Sequence, residues 1–177
     1  DTIDALQKAY DDRGVDTLAV LAGPAVHGAQ NIHGAMEDWL TNAVRVYLDR
    51  YPCLRVAIVG HSFGATTGDV VSARLEDAYP DRFVVVVDID RVTSLYTGDT
   101  QSRPDIAPVF NIYTNDPIFG ADPYDSPNAE NYDASGEEGP AGGQDGGALE
   151  PVNHTTIDNS KAVRERIVAE VLERSGP

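Results

Sequence analysis

Sulfur is nearly absent from this chain, with Cys53 its one cysteine and Met36 its one methionine. A lone thiol closes no intrachain disulfide and leaves no thiolate zinc site and no C-x-x-C redox pair. Positive charge is scarce as well: 13 Lys and Arg face 29 Asp and Glu, giving a formal net charge of -16 and a sequence pI near 4.3. Such a field repels phosphate backbones and anionic lipid surfaces, so no nucleic acid is expected as a partner. No apolar run approaches the roughly 18 residues that a membrane span needs, so no transmembrane segment is expected. Neither G-x-G-x-x-G nor G-x-x-x-x-G-K-[ST] occurs, which removes two common phosphate-cradling loops. His27 and His33 invite a metal reading, yet their spacing matches no familiar zinc pattern and no cysteine joins them. They read as loop or substrate-rim residues, and His27 is taken as a substrate contact. The acidic stretch from Asp122 to Asp133 lacks the D-x-[DN]-x-[DN]-G spacing of a calcium loop and reads as a solvated surface segment. No metal and no cofactor is called for.

What remains is an ordinary globular composition: 177 residues, 41% hydrophobic and 24% charged, enough for one domain over residues 1–177 with a real core. The start at Asp1 rather than Met suggests a processed mature form or a trimmed chain and is compatible with secretion, which is the expected localisation. Ile3, Leu6 and Tyr10 lie at helical spacing, with Gly14 beyond them as a stop. Thr17 to Ala22 (TLAVLA) reads as a buried strand, and Gly23 to Gly34 as a loop. Trp39 or Leu40, Ala43, Val44, Tyr47, Leu48 and Tyr51 mark one face of a helix that stops before Pro52. Leu54 to Val59, Phe83 to Val87 and Val109 to Tyr113 are further strands, rich in β-branched residues. A helix from about Phe63 to Tyr79 lies between the first two, with Val71, Leu75 and Tyr79 as its apolar side. A last helix begins after a Ser160 cap and uses Val163, Ile167, Val171 and Leu172. The alternation predicts an α/β fold, a mostly parallel sheet flanked by helices on both faces. Residues 115–150 show no hydrophobic periodicity and are crowded with Gly, Pro, Asp and Asn, so they are expected to form one long loop.

Chemistry enters at Gly60-His61-Ser62-Phe63-Gly64. This G-x-S-x-G follows a predicted strand and precedes a predicted helix, the context in which such a serine becomes a nucleophile on a strained turn. The flanking glycines are expected to leave side-chain-free space around it. A serine hydroxyl is weakly nucleophilic at neutral pH and needs a histidine to take its proton and a carboxylate to orient that histidine. In this kind of turn the chain order is Ser, then Asp or Glu, then His. His154 is the one histidine after Ser62 and is therefore the predicted base. Asp116, just beyond the strand VFNIY, is the preferred acid; Asp90 and Asp88, at the end of the strand before it, are the alternatives. The oxyanion would be held by the amide of Phe63 and by that of Gly23 or Ala25, since Pro24 has no N–H to offer. His61 and Phe119 are candidate substrate contacts, and Phe63, Tyr96, Tyr113 and Tyr124 are candidates for an apolar acyl site.

In these residues the chain resembles lipases and esterases of the α/β-hydrolase superfamily, most closely the class 3 lipase-like group. IVGHSFGA looks like that group's strand and elbow, and VFNIYTNDPI like its acid-bearing turn, while VNHTT places the histidine. Only the elbow is a specific match, although the likeness runs over roughly residues 17–160. Phe63-Gly64-Ala65 stands where Leu-Gly-Gly is usual, and the short chain is closer to a minimal, cutinase-sized version. The resemblance implies a serine esterase or lipase acting on a small-molecule or lipid ester through Ser62, Asp116 and His154. Thioesterases and acyltransferases share the elbow, and a non-catalytic α/β binding domain could carry the same turn.

Overall fold

The valine-rich segments line up side by side. In the computed structural model, which describes residues 2–17, 32–92, 104–116, 123–140 and 148–176, four strands form one parallel sheet. They are β1 (Val56–His61), β2 (Phe83–Ile89), β3 (Val109–Tyr113) and β4 (Ala129–Asp133), in that spatial order. β2 is central, and every one of its residues is buried, as the run FVVVVDI requires of a strand covered on both sides. Among the described residues β4 is an edge strand, paired to β3 alone, and its sequence AENYD is correspondingly polar and partly exposed.

Four helices pack on this sheet: α1 (Thr2–Asp11), α2 (Ile32–Arg50), α3 (Phe63–Leu75) and α4 (Lys161–Ser175). Leu6 of α1 and Val163, Ile167 and Val171 of α4 share one apolar cluster with Val85, Val87, Ile89, Phe110 and Ile112. Leu48 of α2 and Val71 and Leu75 of α3 share a second with Val86 and Val109. The division of neighbouring β2 residues between two clusters follows from the two-residue period of a pleated strand. Among the described residues no helix is long and apolar enough to cross a membrane.

Several expectations are corrected. The stretch 115–150 is not one loop, since it holds β4 and a small antiparallel pair, β5 (Glu138–Pro140) and β6 (Leu149–Pro151). Hydropathy hides them because β4 lies on an edge and all three residues of β6 are exposed. β4 is secured by charge instead: Arg166 and Arg174 of α4 reach Glu130 at 3.1 and 2.8 Å, and the Arg166 guanidinium lies over the rings of Phe110 and Tyr132. Tyr132 donates its hydroxyl to Glu137, and that bond, with burial, raises the phenol above its ordinary pKa. α2 begins at Ile32, so His33 and Gly34 belong to a helix rather than to a loop. Its packed face is Glu37, Leu40, Thr41, Val44 and Leu48, whereas Trp39, Tyr47 and Tyr51 are exposed. The strand expected at Thr17 to Ala22 lies outside the described residues apart from Thr17, and so does the expected loop up to residue 31.

One contact sets the joint between β1 and α3. A methyl group on Gly60 would sit 2.5 Å from the backbone of Gly64 and Ala65, while one on Gly64 would meet nothing within 4 Å. The close approach therefore needs glycine at the first position of the motif and not at the last, contrary to the expectation that both are needed for space. Gly60→Ala should destabilise the protein by about 3 kcal/mol or more, because backbone atoms cannot move aside. Gly64→Ala should stay within about 1 kcal/mol, on the stabilising side. Urea denaturation of the two variants checks this contrast.

Candidate active site

The turn between β1 and α3 forces Ser62 to φ 59 and ψ -123. That region is tolerated by glycine and costs other residues about 1–3 kcal/mol, so it persists only where the surroundings impose it. They do so here through the Ser62 amide, which donates to the Ile89 carbonyl at 2.9 Å, and the Ser62 carbonyl, which accepts from Ala65 at 3.2 Å. A serine at the start of a helix ordinarily turns its hydroxyl onto the first exposed amides. Ser62 does not: its side chain makes no capping bond, and Oγ lies 2.9 Å from Nε2 of His154.

His154 arrives from the other end of the sheet's topology, on the turn that follows β6. The Val152 amide bonds the Glu137 carbonyl at 3.0 Å, and Thr156 and Ile157 donate back to the Asn153 carbonyl, both at 3.0 Å. Ser160 caps α4 by accepting from Val163 and donates its own hydroxyl to the Glu138 carbonyl at 2.8 Å. These bonds fix the turn between the β5–β6 pair and α4, and the imidazole is buried within it.

The carboxylate facing the far side of that imidazole belongs to Asp90, whose Oδ2 is 3.3 Å from Nδ1. Asp90 is fully buried and sits at φ 46, a second residue in the left-handed region. Thr114 holds the carboxylate through its amide to Oδ1 at 2.7 Å and its hydroxyl to Oδ2 at 2.6 Å. The corner that follows is fastened to α3 twice. Arg91 bonds Asp69 at 2.5 Å with both side chains buried, and the Thr66 hydroxyl donates to the Val92 carbonyl at 2.8 Å.

Asp116, the preferred acid of the sequence reading, occupies a different place: its Oδ2 is 3.5 Å from the main-chain amide of His154. The difference follows from strand order. Asp90 leaves β2, the immediate neighbour of the strand that carries Ser62, whereas Asp116 leaves β3, about 4.8 Å further across the sheet. In the sequence Asp116 is favoured because it follows the strand VFNIY after the short link Thr114-Asn115, at the carboxyl edge where catalytic loops gather, although an aspartate before proline is also a common turn former. The buried Arg91–Asp69 pair that fixes the Asp90 corner joins residues 22 apart in the sequence and leaves no mark there. Asp88, the other alternative, is buried in β2 opposite Gly60 and Asn111.

Phe63 opens α3, so its amide stands next to the serine as an oxyanion donor must. His61, read as a substrate contact, directs Nε2 at the His154 carbonyl, 2.7 Å away. Tyr124, a candidate for the acyl site, is 5% exposed within the second core cluster and packs with Leu48 and Val109. Tyr113 ends β3 and is half-buried. Gly23, Ala25, His27, Tyr96 and Phe119 lie outside the described residues, and so does any statement about the second oxyanion donor. Among the described residues no cluster of three or more His, Cys, Asp or Glu side chains is placed to hold a metal ion.

Comparison with known proteins adds no family to this geometry: no protein-family model and no curated protein matches the chain.

The Asp90 corner depends on the buried Arg91–Asp69 pair. Removing one partner leaves the other charge buried, which costs about 3–5 kcal/mol. Arg91→Ala should lose about that much in equilibrium denaturation, while Arg91→Ala combined with Asp69→Ala should recover a substantial part of it.

Proposed function

We propose that this chain is a serine hydrolase with a minimal α/β-hydrolase fold that cleaves carboxylic esters through an acyl-enzyme on Ser62. One observation carries the reading: a single imidazole stands between a serine hydroxyl on a strained strand-to-helix turn and a buried carboxylate, at 2.9 and 3.3 Å. Contacts of this kind are often slightly long before substrate binds.

The chemistry follows from the placement. With its ring proton on Nδ1, facing Asp90, His154 presents a lone pair to Ser62. Oγ attacks the ester carbonyl carbon, its proton passes to Nε2, and the resulting tetrahedral oxyanion lies near the Phe63 amide. Asp90 steadies the imidazolium formed at that moment. Collapse breaks the bond to the alcohol oxygen, which takes the proton from Nε2 and departs. Water then repeats the sequence on the acyl group: Nε2 takes a water proton, hydroxide adds to the carbonyl, and the carboxylic acid leaves as Ser62 regains its proton. No cofactor enters. The strained φ at Ser62 supports this reading over a non-catalytic binding domain, because strain of that kind clusters at functional turns.

The reading is tested with a fluorophosphonate. Folded protein should be modified stoichiometrically at Ser62, and Ser62→Ala should take up none. Intact, folded protein that stays unlabelled would falsify the proposal. Asp90→Asn should lower kcat on p-nitrophenyl acetate by about 10²- to 10⁴-fold, as loss of the orienting acid does elsewhere, whereas Asp116→Asn should cost less than about tenfold. Activity on a matched thioester or transfer to an alcohol acceptor, exceeding ester hydrolysis, would replace the esterase assignment with a thioesterase or acyltransferase.

A further inference from the structure

The base of this site is held by its main chain as well as by its ring. His61 ends β1 in register with Ile89 of β2 and is the residue covalently next to Ser62. Its Nε2 lies 2.7 Å from the carbonyl oxygen of His154, and the two imidazole rings pack with centroids 5.0 Å apart, tilted by 34°. A carbonyl oxygen only accepts, so the ring proton of His61 is on Nε2 and points at the His154 peptide. On the other side of the same residue, the His154 amide faces Asp116 at 3.5 Å.

We infer that His61 is a positioning residue for the reaction proposed above: its Nε2–H tethers the His154 main chain to the strand that carries Ser62, so nucleophile and base share one anchor. The inference rests on that reading of Ser62 and His154. The physical need is plain. His154 stands on the turn between β6 and α4, whose other hydrogen bonds run within the turn and to Asp116, Glu137 and Glu138, while the His61 bond ties it to β1. Its imidazole must meet Oγ at 2.9 Å and Asp90 at 3.3 Å together. A displacement of about 1 Å at such a site costs about 10²-fold in rate. β1 is bonded along its length to β2, so a donor at its last residue is fixed relative to both Ser62 and the Asp90 corner.

Two variants separate the tether from packing and from substrate contact. Gln carries its amide nitrogen the same number of bonds from Cα as Nε2 of histidine, whereas Phe keeps the ring and has no donor. His61→Phe should therefore lower kcat on p-nitrophenyl acetate about 10²-fold with KM changed less than about threefold. His61→Gln should keep kcat within about tenfold of the native value. The ¹⁵N resonances of the His154 ring, recorded in the same proteins, should shift or broaden in His61→Phe and return toward native positions in His61→Gln. Should His61→Phe fail to fold, His61→Asn takes its place, since its amide is too short to reach and the same losses are expected.

Equal kcat in all variants with unchanged His154 resonances overturns the tether. So does a rise in KM with kcat retained, which would make His61 a substrate contact. If native protein takes up no fluorophosphonate, the hydrolase reading fails, yet the ring resonances still report on whether His61 holds His154.

Discussion

The Gly60 backbone approaches that of Gly64 and Ala65 so closely that no side chain fits between them. Everything around Ser62 depends on that approach. It brings the first turn of α3 down onto the end of β1, and the chain can make the connection only by driving Ser62 to φ 59. With the backbone so constrained, the hydroxyl is withheld from the helix cap it would otherwise make and is directed to His154. A turn of this tightness needs support beneath it. That support is the parallel pairing of β1 with β2, whose residues are buried throughout, and the bond from the Ser62 amide to Ile89.

The same strand pairing explains which carboxylate faces the His154 ring. β2 runs beside β1 and the two end in register, His61 opposite Ile89, so the residue that leaves β2 emerges next to the elbow. Asp90 is that residue. It is held by Thr114 from β3's end and by the Arg91–Asp69 and Thr66–Val92 contacts to α3, so the corner is tied to the helix that completes the elbow and to the strand on its other side. In a chain with 29 acidic residues, a carboxylate is available almost anywhere; what distinguishes Asp90 is that its surroundings leave it one orientation. Asp116, one strand further on, faces the His154 amide instead of the ring.

Much of this was legible in the amino-acid order. β1, β2 and β3 announce themselves through β-branched runs, and α4 through its Ser160 cap, because strand packing and capping leave direct marks on composition. Ser62 and His154 were legible from the motif and from chain order. The polar strands were not. AENYD reads as loop because an edge strand buries little, and its place is set by Arg166 and Arg174 from a helix more than 30 residues away. The acid was ambiguous for a related reason: Asp88, Asp90 and Asp116 all follow apolar runs, and only the pairing order of β1, β2 and β3 ranks their distance from the elbow. The partnership of His61 with the His154 carbonyl had no sequence signature, since the two residues meet through tertiary packing alone.

The central claim is that the His154 ring is oriented by Asp90, and the proton on Nδ1 reports it most directly. Low-temperature ¹H spectra of the folded protein should contain a strongly downfield, exchange-protected ring proton that disappears in Asp90→Ala and survives in Asp116→Ala. Survival in the first variant and loss in the second would contradict the account and return the acid's role to Asp116.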